Sequence, residues 1–155
     1  MYIDEVGNDD NMVVQHGWSE KGKRSYAEQS GSKTKRLSIV AGYNYQTKEI
    51  YAPFEFEGYT DTHLFNGWFG DLLCPELPKN SVVILDNARF HHSYELDEIA
   101  EKAAVKLLYL PPYSPDLNPI EKFWANLKRN IRKVVKKFDK FQDAVTFAFN
   151  ETISG

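Results

Sequence analysis

The sequence predicts an α/β domain built on a mixed five-stranded sheet, with three antiparallel strands followed by two parallel strands and with flanking helices. Three observations support this prediction. Alternating and β-branched segments fill the first third of the chain, and short apolar runs then alternate with helical patterns. Hydrophobic residues make up 42% of the 155 residues, which is enough for a buried core. Because this length suits one domain, we expect a single domain over residues 1–155.

The first three apolar segments predict the antiparallel part of the sheet. Residues 1–4 are a very short apolar strand that ends at Asp4. Residues 35–45 are rich in apolar and β-branched side chains, and residues 49–57 alternate apolar with polar side chains, interrupted by one proline. Residues 19–35, rich in glycine, serine and lysine, predict a loop or hairpin tip.

The remaining elements come in the order helix 61–73, strand 81–85, helix 93–104, strand 105–110, helix 119–138 and helix 141–153. Asp61 and Ser93 are suited to cap the first two helices. The continuous apolar run before Asp86 is typical of a strand buried on both faces. A strand, a helix and a strand at this spacing predict a parallel pair. The proline-rich stretch before the long helix predicts an extended connection.

Charge and cysteine content exclude several classes of protein. The net charge of −3 and the isoelectric point of about 5.8 exclude a globally basic nucleic-acid binder, but not a local basic face. The single cysteine, Cys74, excludes a disulfide framework and a multi-cysteine zinc site, and we interpret it as a small buried hydrophobe. No apolar run approaches the roughly 20 residues of a membrane helix, so we expect a cytoplasmic protein without a membrane partner.

Three acidic residues stand where the predicted elements meet. Asp4 and Asp86 each follow an apolar strand, and chemistry gathers at strand carboxyl ends in sheets with parallel strands. Glu121 lies in the first turn of the long helix. Each acid also has a purely structural interpretation, because aspartates after strands form turns and because Asn118, Pro119 and Glu121 fit a capping box.

The motifs around these acids resemble a known family. They are residues 2–5 (YIDE), residues 86–91 (DNARFH) and the twelve residues 110–121 (LPPYSPDLNPIE). Together they are similar to the catalytic domain of bacterial insertion-sequence transposases of the Tc/mariner superfamily, whose second and third acids show the 34-residue separation found here. Residues 17–22 (GWSEKG) resemble the family's tryptophan-containing hairpin, although a proline often stands where Glu20 is.

The resemblance implies an RNase H-like fold with Asp4, Asp86 and Glu121 as the DDE triad. It also implies cleavage of DNA at element ends, followed by attack of the freed 3′-hydroxyl on target DNA, typically at a TA dinucleotide. Three carboxylates without cysteine ligands suit Mg²⁺, for which Mn²⁺ would substitute, and a two-ion site is expected. The implied partner is DNA, bound by a homodimer or higher assembly at the nucleoid of a prokaryote.

The family usually carries helix-turn-helix DNA-binding domains before the first catalytic aspartate. Only three residues precede Asp4 in this sequence. We therefore expect a catalytic domain without its N-terminal helix-turn-helix domain. Because that module recognises the element ends, we expect this chain alone to act weakly and with little sequence preference.

Glu5, His91 and His92 lie beside the acids of the triad in the sequence. Glu5 adjoins Asp4, but successive residues of a strand point to opposite sides, so we expect Glu5 to point away from the site. His91 and His92 follow Asp86 in the same loop. We interpret them as partly exposed loop histidines, with a contact to substrate or to the metal shell as the alternative, because metal-bound water needs no basic side chain.

The predicted long helix is strongly basic. Residues 121–140 hold eight basic and two acidic residues. On an ideal helix Lys128 and Arg132 share an edge with Glu121, about 10 Å and 16 Å along the axis, whereas Arg129 and Lys133 point elsewhere. We hypothesise that Lys128 and Arg132 guide DNA to the site, with an ordinary solvated face as the alternative. Further candidate DNA contacts are Lys21, Lys23 and Arg24.

Two other functions stay open at this point. One is a cellular nuclease of the same fold that acts on RNA–DNA hybrids, and the proline-rich motif argues against it. The other is a catalytically inactive DNA-binding or assembly module that dimerises through the aromatic residues of segment 54–69. The three intact carboxylates argue against that module.

Overall fold

The structure, a computed structural model, describes residues 1–10 and 35–155. Within these two ranges, five strands form one mixed sheet: β1 (Tyr2–Asp9), β2 (Arg36–Tyr43), β3 (Ile50–Glu57), β4 (Val82–Leu85) and β5 (Lys106–Tyr109). Their order across the sheet is β3-β2-β1-β4-β5. The strands β1, β2 and β3 pair antiparallel, whereas β4 runs parallel to both β1 and β5. The predicted sheet, with three antiparallel strands and two parallel ones, is confirmed.

The first strand is longer than predicted. It has eight residues, paired with β2 without a break from Tyr2 opposite Tyr43 to Asp9 opposite Arg36. The sequence hides this strand because Glu5, Asn8 and Asp9 are poor strand formers taken alone. Its complete ladder with β2 supplies the missing stabilisation. The prediction that Asp4 ends the first strand is therefore wrong, since Asp4 is its third residue.

Among the described residues, four α-helices flank the sheet: α1 (Thr62–Trp68), α2 (Tyr94–Lys102), α3 (Ile120–Val134) and α4 (Phe141–Ser154). Both predicted N-caps are confirmed. Asp61 Oδ1 accepts a hydrogen bond from the Leu64 N–H at 2.8 Å, and Ser93 Oγ accepts one from the Leu96 N–H at 3.1 Å. These bonds satisfy backbone donors that the first helical turn leaves free.

Two helices end at least four residues earlier than predicted, whereas α2 ends two residues early, at Lys102. After Trp68 the α1 segment continues as a π-helical turn, Phe69–Leu73, and a 3-10 turn, Cys74–Glu76. The α3 helix ends at Val134 rather than near residue 138, because a 3-10 turn follows and Phe138 adopts an extended backbone. Phe138 then packs against Phe147 of α4, with ring centroids 5.4 Å apart.

Each face of the sheet has its own apolar core. Ile3 and Val40 pack with Phe65 and Trp68 beneath α1 and α2. On the other face the core beneath α3 and α4 consists of Val6, Leu37, Ile39, Ala41, Ile120, Trp124, Leu127, Ile131, Val145, Ala148 and Phe149. The predicted apolar stripe of α3 is thus confirmed for its four buried residues. Alternate residues of β1 enter opposite cores, as the period of a strand requires.

The predicted burial of β4 on both faces is wrong. Val83 and Leu85 are buried beneath α1 and α2, but Val82 on the other face is 41% exposed. The core beneath α3 and α4 draws its strand residues from β1 and β2. Cys74 is half-buried against the α1–α2 core, and burial raises the pKa of its thiol to about 11. Within residues 1–10 and 35–155, no helix has the length and apolar character needed to cross a membrane.

Candidate active site

Asp4, Asp86 and Glu121 line one cleft of about 450 Å³. The remaining walls come from the loop after β4 and from the proline-rich loop before α3. The structure therefore brings the three predicted acids together. A larger groove of about 930 Å³ lies between the β2–β3 turn and the end of α4, but none of the three predicted acids lines it. For that reason we take the smaller cleft as the candidate site.

The register of the sheet sets Asp4 beside Asp86. Tyr2 of β1 pairs with Ile84 of β4 in a parallel ladder. Two residues after this pair in sequence numbering, Asp4 and Asp86 are level with each other and lie on the same face of the sheet. Although Asp4 lies inside its own strand, it stands at the level where the neighbouring strand β4 ends. This neighbouring strand end opens the cleft to Asp4.

Two hydrogen bonds join the start of α3 to β1, on either side of Glu121 in sequence. Asn118 Nδ2 donates to the Ile3 carbonyl at 3.3 Å, and Trp124 Nε1 donates to Asp4 Oδ2 at 3.2 Å. Asn118 and Trp124 are both buried. The bonds hold the first turn of α3, and with it Glu121, against the strand that carries Asp4. Neither residue was among the predicted site residues.

The capping box that competed with a functional role for Glu121 is only half formed. Asn118 Oδ1 accepts from the Ile120 N–H at 3.4 Å, which is the capping half. The Asn118 N–H donates to the Pro115 carbonyl at 3.0 Å, so it does not bind the Glu121 carboxylate. Glu121 is exposed and lines the cleft.

The carboxylate of Asp86 is held on one of its two oxygens. Oδ1 accepts from the Ala88 N–H at 3.1 Å and lies 2.7 Å from His91 Nδ1. The side chain is half exposed towards the cleft. The hydrogen bond from His91, which outweighs the opposing effect of burial, lowers the pKa of Asp86.

His91 is fully buried, so its interpretation as a partly exposed loop histidine is wrong. Its ring packs against Phe65 and Phe90, with centroids 4.3 Å and 4.4 Å away. Nε2 lies 3.2 Å from Glu5 Oε1, and Nδ1 faces Asp86. Burial opposes a charge on the ring, but the hydrogen bonds to Asp86 and Glu5 prevail and raise the pKa of His91 to about 9. The exposure of His92 agrees with its interpretation.

Glu5 lies on the opposite face of β1 from Asp4, as predicted, but it still reaches the site indirectly through His91. In the sequence, only a histidine five residues after Asp86 in the same loop hints at this contact. The partner of that histidine comes from a strand 86 positions away in the chain.

The cleft carries an excess of negative charge. Burial, followed by the charge of Glu5 and those of Glu121 and Asp86, raises the pKa of Asp4 to about 8, against one opposing backbone hydrogen bond. Arg89 is the one basic residue among the described residues that line the cleft. Such a surplus of carboxylate charge favours a bound cation.

The chemistry of the donors fits a hard divalent ion. Three carboxylates offer the oxygen ligands that Mg²⁺ and Mn²⁺ prefer, without thiol or imidazole ligands that would select softer metals. In the part of the chain that the structure describes, no three such side chains are gathered closely enough to hold an ion as they stand. Asp4, Asp86 and Glu121 share a cleft rather than a preassembled coordination shell.

Residues 1–144 match the family described as DDE superfamily endonuclease. The chain belongs to this family. The Tcb2 transposase of a Caenorhabditis briggsae transposable element is 41% identical over 63 residues, which cover 37% of this chain and 23% of that protein. The uncharacterized protein y4pE/y4sA of Sinorhizobium fredii (strain NBRC 101917 / NGR234) is 30% identical over 76 residues, which cover 48% of this chain and 54% of that protein. This DDE domain thus spans well under two thirds of each relative.

Solved structures agree on the fold. The Mos1 transposase in a paired-end complex with the left transposon end aligns over 99% of this DDE domain and 47% of its own chain, with a TM-score of 0.68 at 13% identity. A chain of a simian T-cell lymphotropic virus intasome aligns over 77% of this DDE domain and 42% of its own length, with a TM-score of 0.57 at 15% identity. The predicted RNase H-like fold and the resemblance to Tc/mariner transposases are confirmed.

The proline-rich loop of this DDE domain forms one wall of the cleft, from Leu110 to Pro115. Predicted as extended, the loop includes a 3-10 turn, Pro115–Leu117. Tyr113 adopts a left-handed backbone with φ of 56°, and its side chain is fully exposed at the cleft. A left-handed conformation is uncommon for a residue with a bulky side chain.

The candidate DNA contacts fall into two groups. Lys128 is partly buried and Arg132 is exposed on α3, the helix that carries Glu121. Their contact with DNA stays a prediction. The other group, with the tryptophan-containing motif at residues 17–22, lies outside the described residues and consists of Lys21, Lys23 and Arg24.

Proposed function

We propose that this chain is the catalytic domain of a transposase, which cuts DNA phosphodiester bonds at the ends of a mobile element and joins the freed 3′-hydroxyl to target DNA. The observation that carries the proposal is the shared cleft of Asp4, Asp86 and Glu121 in a member of the DDE endonuclease family. The names of two structural relatives, a paired-end complex with a transposon end and an intasome, support DNA as the partner and a multimeric assembly.

The carboxylates of the cleft would hold two Mg²⁺ ions, for which Mn²⁺ would substitute. Asp4 and Asp86 would share the ions, and Glu121 would complete the second site. Divalent ions in such a site activate the attacking oxygen and stabilise the leaving oxygen. Burial and then the neighbouring acidic charges raise the pKa of Asp4 to about 8, and this supports the assignment, because a bound cation would stabilise the buried carboxylate and relieve its repulsion by Glu121 and Asp86.

The protein's own contribution is to fix the positions of the three acids. The parallel register of β1 and β4 sets Asp4 against Asp86. Asn118 and Trp124 bind the start of α3 to β1 and so hold Glu121 over the same cleft. From this placement we infer that DNA lies along the α3 edge that carries Lys128 and Arg132. The phosphates next to the reacting bond would contact these two cations.

A DNA-cleavage assay with the full 155-residue chain tests the proposal. Duplex DNA carrying an element end is incubated with Mg²⁺ or Mn²⁺, and the nicked products are measured. We expect Asp4→Asn, Asp86→Asn and Glu121→Gln each to lose at least about 100-fold in rate, since metal ligands matter more than the groups around them. Asp116→Asn is the matched control, because Asp116 precedes Glu121 by five residues but does not line the cleft.

Four results would contradict the proposal. Cleavage that persists in EDTA would exclude a metal-dependent reaction. Triad variants as active as the control would exclude these carboxylates. Cleavage of RNA–DNA hybrids but not of DNA would identify a cellular nuclease of the same fold, and a wild-type chain that neither cuts DNA nor binds Mn²⁺ would be an inactive module.

A further inference from the structure

A buried chain of polar contacts runs behind the cleft, from Glu5 through His91 to Asp86. Glu5 Oε1 lies 3.2 Å from His91 Nε2, and His91 Nδ1 lies 2.7 Å from Asp86 Oδ1 and 3.2 Å from the Asp86 carbonyl oxygen. Because acceptors face both ring nitrogens, the ring donates hydrogen bonds in both directions. The chain therefore joins the middle of β1 to the loop after β4.

The surroundings of the ring are costly for a polar group. His91 has no exposed surface and packs between the rings of Phe65 and Phe90. Glu5 is itself only 13% exposed. Burying such groups costs stability unless each is paired, and well-packed apolar side chains often replace a buried ion pair at no loss. Packing alone therefore does not explain why a carboxylate, an imidazole and a second carboxylate contact one another here.

The contact chain determines which oxygen of Asp86 faces the cleft. Oδ1 accepts from both the Ala88 N–H and His91 Nδ1. Among the described residues, Oδ2 has no hydrogen-bond partner, and the side chain is half exposed towards the cleft. A carboxylate with one oxygen held by two donors has little freedom to rotate. Its other oxygen is left for a ligand in the cleft.

The same contacts fix the separation of two acids on neighbouring strands. Glu5 follows Asp4 directly in β1, so a bond to Glu5 on one face of the strand restrains Asp4 on the other. Between β1 and β4 the structure records a single residue pair in register, Tyr2 with Ile84. The side-chain contacts through His91 extend this short ladder to the level of the cleft.

We propose that His91 and Glu5 are positioning residues, which hold Asp86 with Oδ2 towards the cleft and fix its separation from Asp4. This inference rests on the proposed function, because the expected occupant of the cleft is a divalent ion. The groups around a metal ligand orient it, and their loss typically weakens metal binding about 10–100-fold. His91 and Glu5 act through Asp86 and do not themselves touch the ion.

Two neutral variants of His91 separate orientation from charge. In His91→Asn the side-chain amide occupies the place of Nδ1 and still donates to Asp86. In His91→Gln the longer amide reaches the place of Nε2, towards Glu5, and leaves Asp86 Oδ1 without that donor. Both variants remove the same ring, so any change in Mn²⁺ affinity that arises from charge alone is common to both.

Mn²⁺ titration of the full chain, followed by electron paramagnetic resonance in the absence of DNA, is the decisive measurement. We expect His91→Asn to bind Mn²⁺ about 10-fold more tightly than His91→Gln. Phe65→Leu controls for stability, since it loosens packing on the same ring without removing a hydrogen bond, and it should bind Mn²⁺ like the wild type. Glu5→Gln removes the charge but keeps an acceptor for His91 Nε2, whereas Glu5→Leu removes both, so Glu5→Leu should bind Mn²⁺ more weakly than Glu5→Gln.

Equal Mn²⁺ affinities for the two His91 variants, or for the two Glu5 variants, would overturn the positioning role. A wild-type chain that binds no Mn²⁺ would instead overturn the proposed function. In that case a metal-free crystal structure of His91→Gln decides the inference by itself. We expect the Asp86 carboxylate to rotate away from its wild-type orientation, and an unchanged carboxylate would refute the positioning role.

Discussion

Replacing Asp4 by asparagine should stabilise the metal-free protein at alkaline pH while removing a proposed metal ligand. Asp4 is buried, and its pKa is raised to about 8 by burial and by the charges of Glu5, Glu121 and Asp86. An asparagine has nearly the same shape. Its carbonyl oxygen can still accept the hydrogen bond that Trp124 Nε1 donates at 3.2 Å. The substitution thus removes the charge and keeps the contact.

The sign of the effect follows from the two pKa values. Unfolded aspartate loses its proton near pH 4, whereas folded Asp4 keeps its proton up to about pH 8. Between these values the folded state binds more protons than the unfolded state, so the stability of the wild type falls as the pH rises. If the whole pKa shift acted on stability, the free energy of unfolding of the wild type would fall by about 4 kcal/mol between pH 5 and pH 8. Because protein and water relax around a buried charge, we expect a difference of about 1–3 kcal/mol.

Urea unfolding in EDTA at pH 5 and pH 8 measures this difference. The gain in the free energy of unfolding of Asp4→Asn over the wild type should be larger at pH 8 than at pH 5. Asp61→Asn is the control, because it also removes a carboxylate but retains the helix cap on the Leu64 N–H, and its effect should not change with pH in this way. If Asp4→Asn showed the same gain at both pH values, the account of Asp4 as a carboxyl whose charge is disfavoured by burial and by its acidic neighbours would be refuted.

Three further experiments test the supporting contacts and the proposed DNA contacts. Trp124→Phe and Trp68→Phe each remove one buried indole hydrogen bond, so each should lower the free energy of unfolding by about 1–2 kcal/mol. Only Trp124→Phe should also weaken Mn²⁺ binding, and unchanged binding in this variant would contradict the role of Trp124 at Asp4. Asn118→Ala removes the donor to the Ile3 carbonyl, and we expect a loss of about 1–2 kcal/mol in unfolding together with slower DNA cleavage, whereas wild-type values of both would exclude a role for this bond. Alanine variants of Lys128 and Arg132 should each reduce the slope of log DNA affinity against log salt concentration by roughly one unit, whereas alanine variants of Arg129 and Lys133 should leave it unchanged. Equal effects of the two pairs would reduce the proposal to general electrostatics.

Local signals in the sequence were sufficient for most of the fold. The caps at Asp61 and Ser93 and the apolar stripe of α3 depend on residues within a few positions of each other, and all three predictions are confirmed. The full length of β1 depends instead on its ladder with β2, which begins only at Arg36. A strand whose residues resemble turn formers is recognised only with its partner in place.

In the candidate site, too, local sequence signals were predictable and contacts between distant residues were not. The motif from residue 110 to 121 indicated Glu121, and the apolar run before Asp86 indicated the strand end. The burial of His91 was missed because Phe65 and Glu5, which surround and bind it, are distant in the chain. The contact of Trp124 with Asp4 was missed because the same periodicity that predicts a buried core tryptophan gives no sign of a polar partner for its N–H.

Anomalous diffraction from crystals of the 155-residue chain soaked in Mn²⁺ tests the central claim most directly. The account predicts manganese density in the cleft, with carboxylate oxygens of Asp4, Asp86 and Glu121 about 2 Å from the ions, and with Asp86 binding through Oδ2. Manganese bound elsewhere, or a Glu121 side chain turned away from the ions, would contradict the assignment of these three acids as one metal-dependent active site.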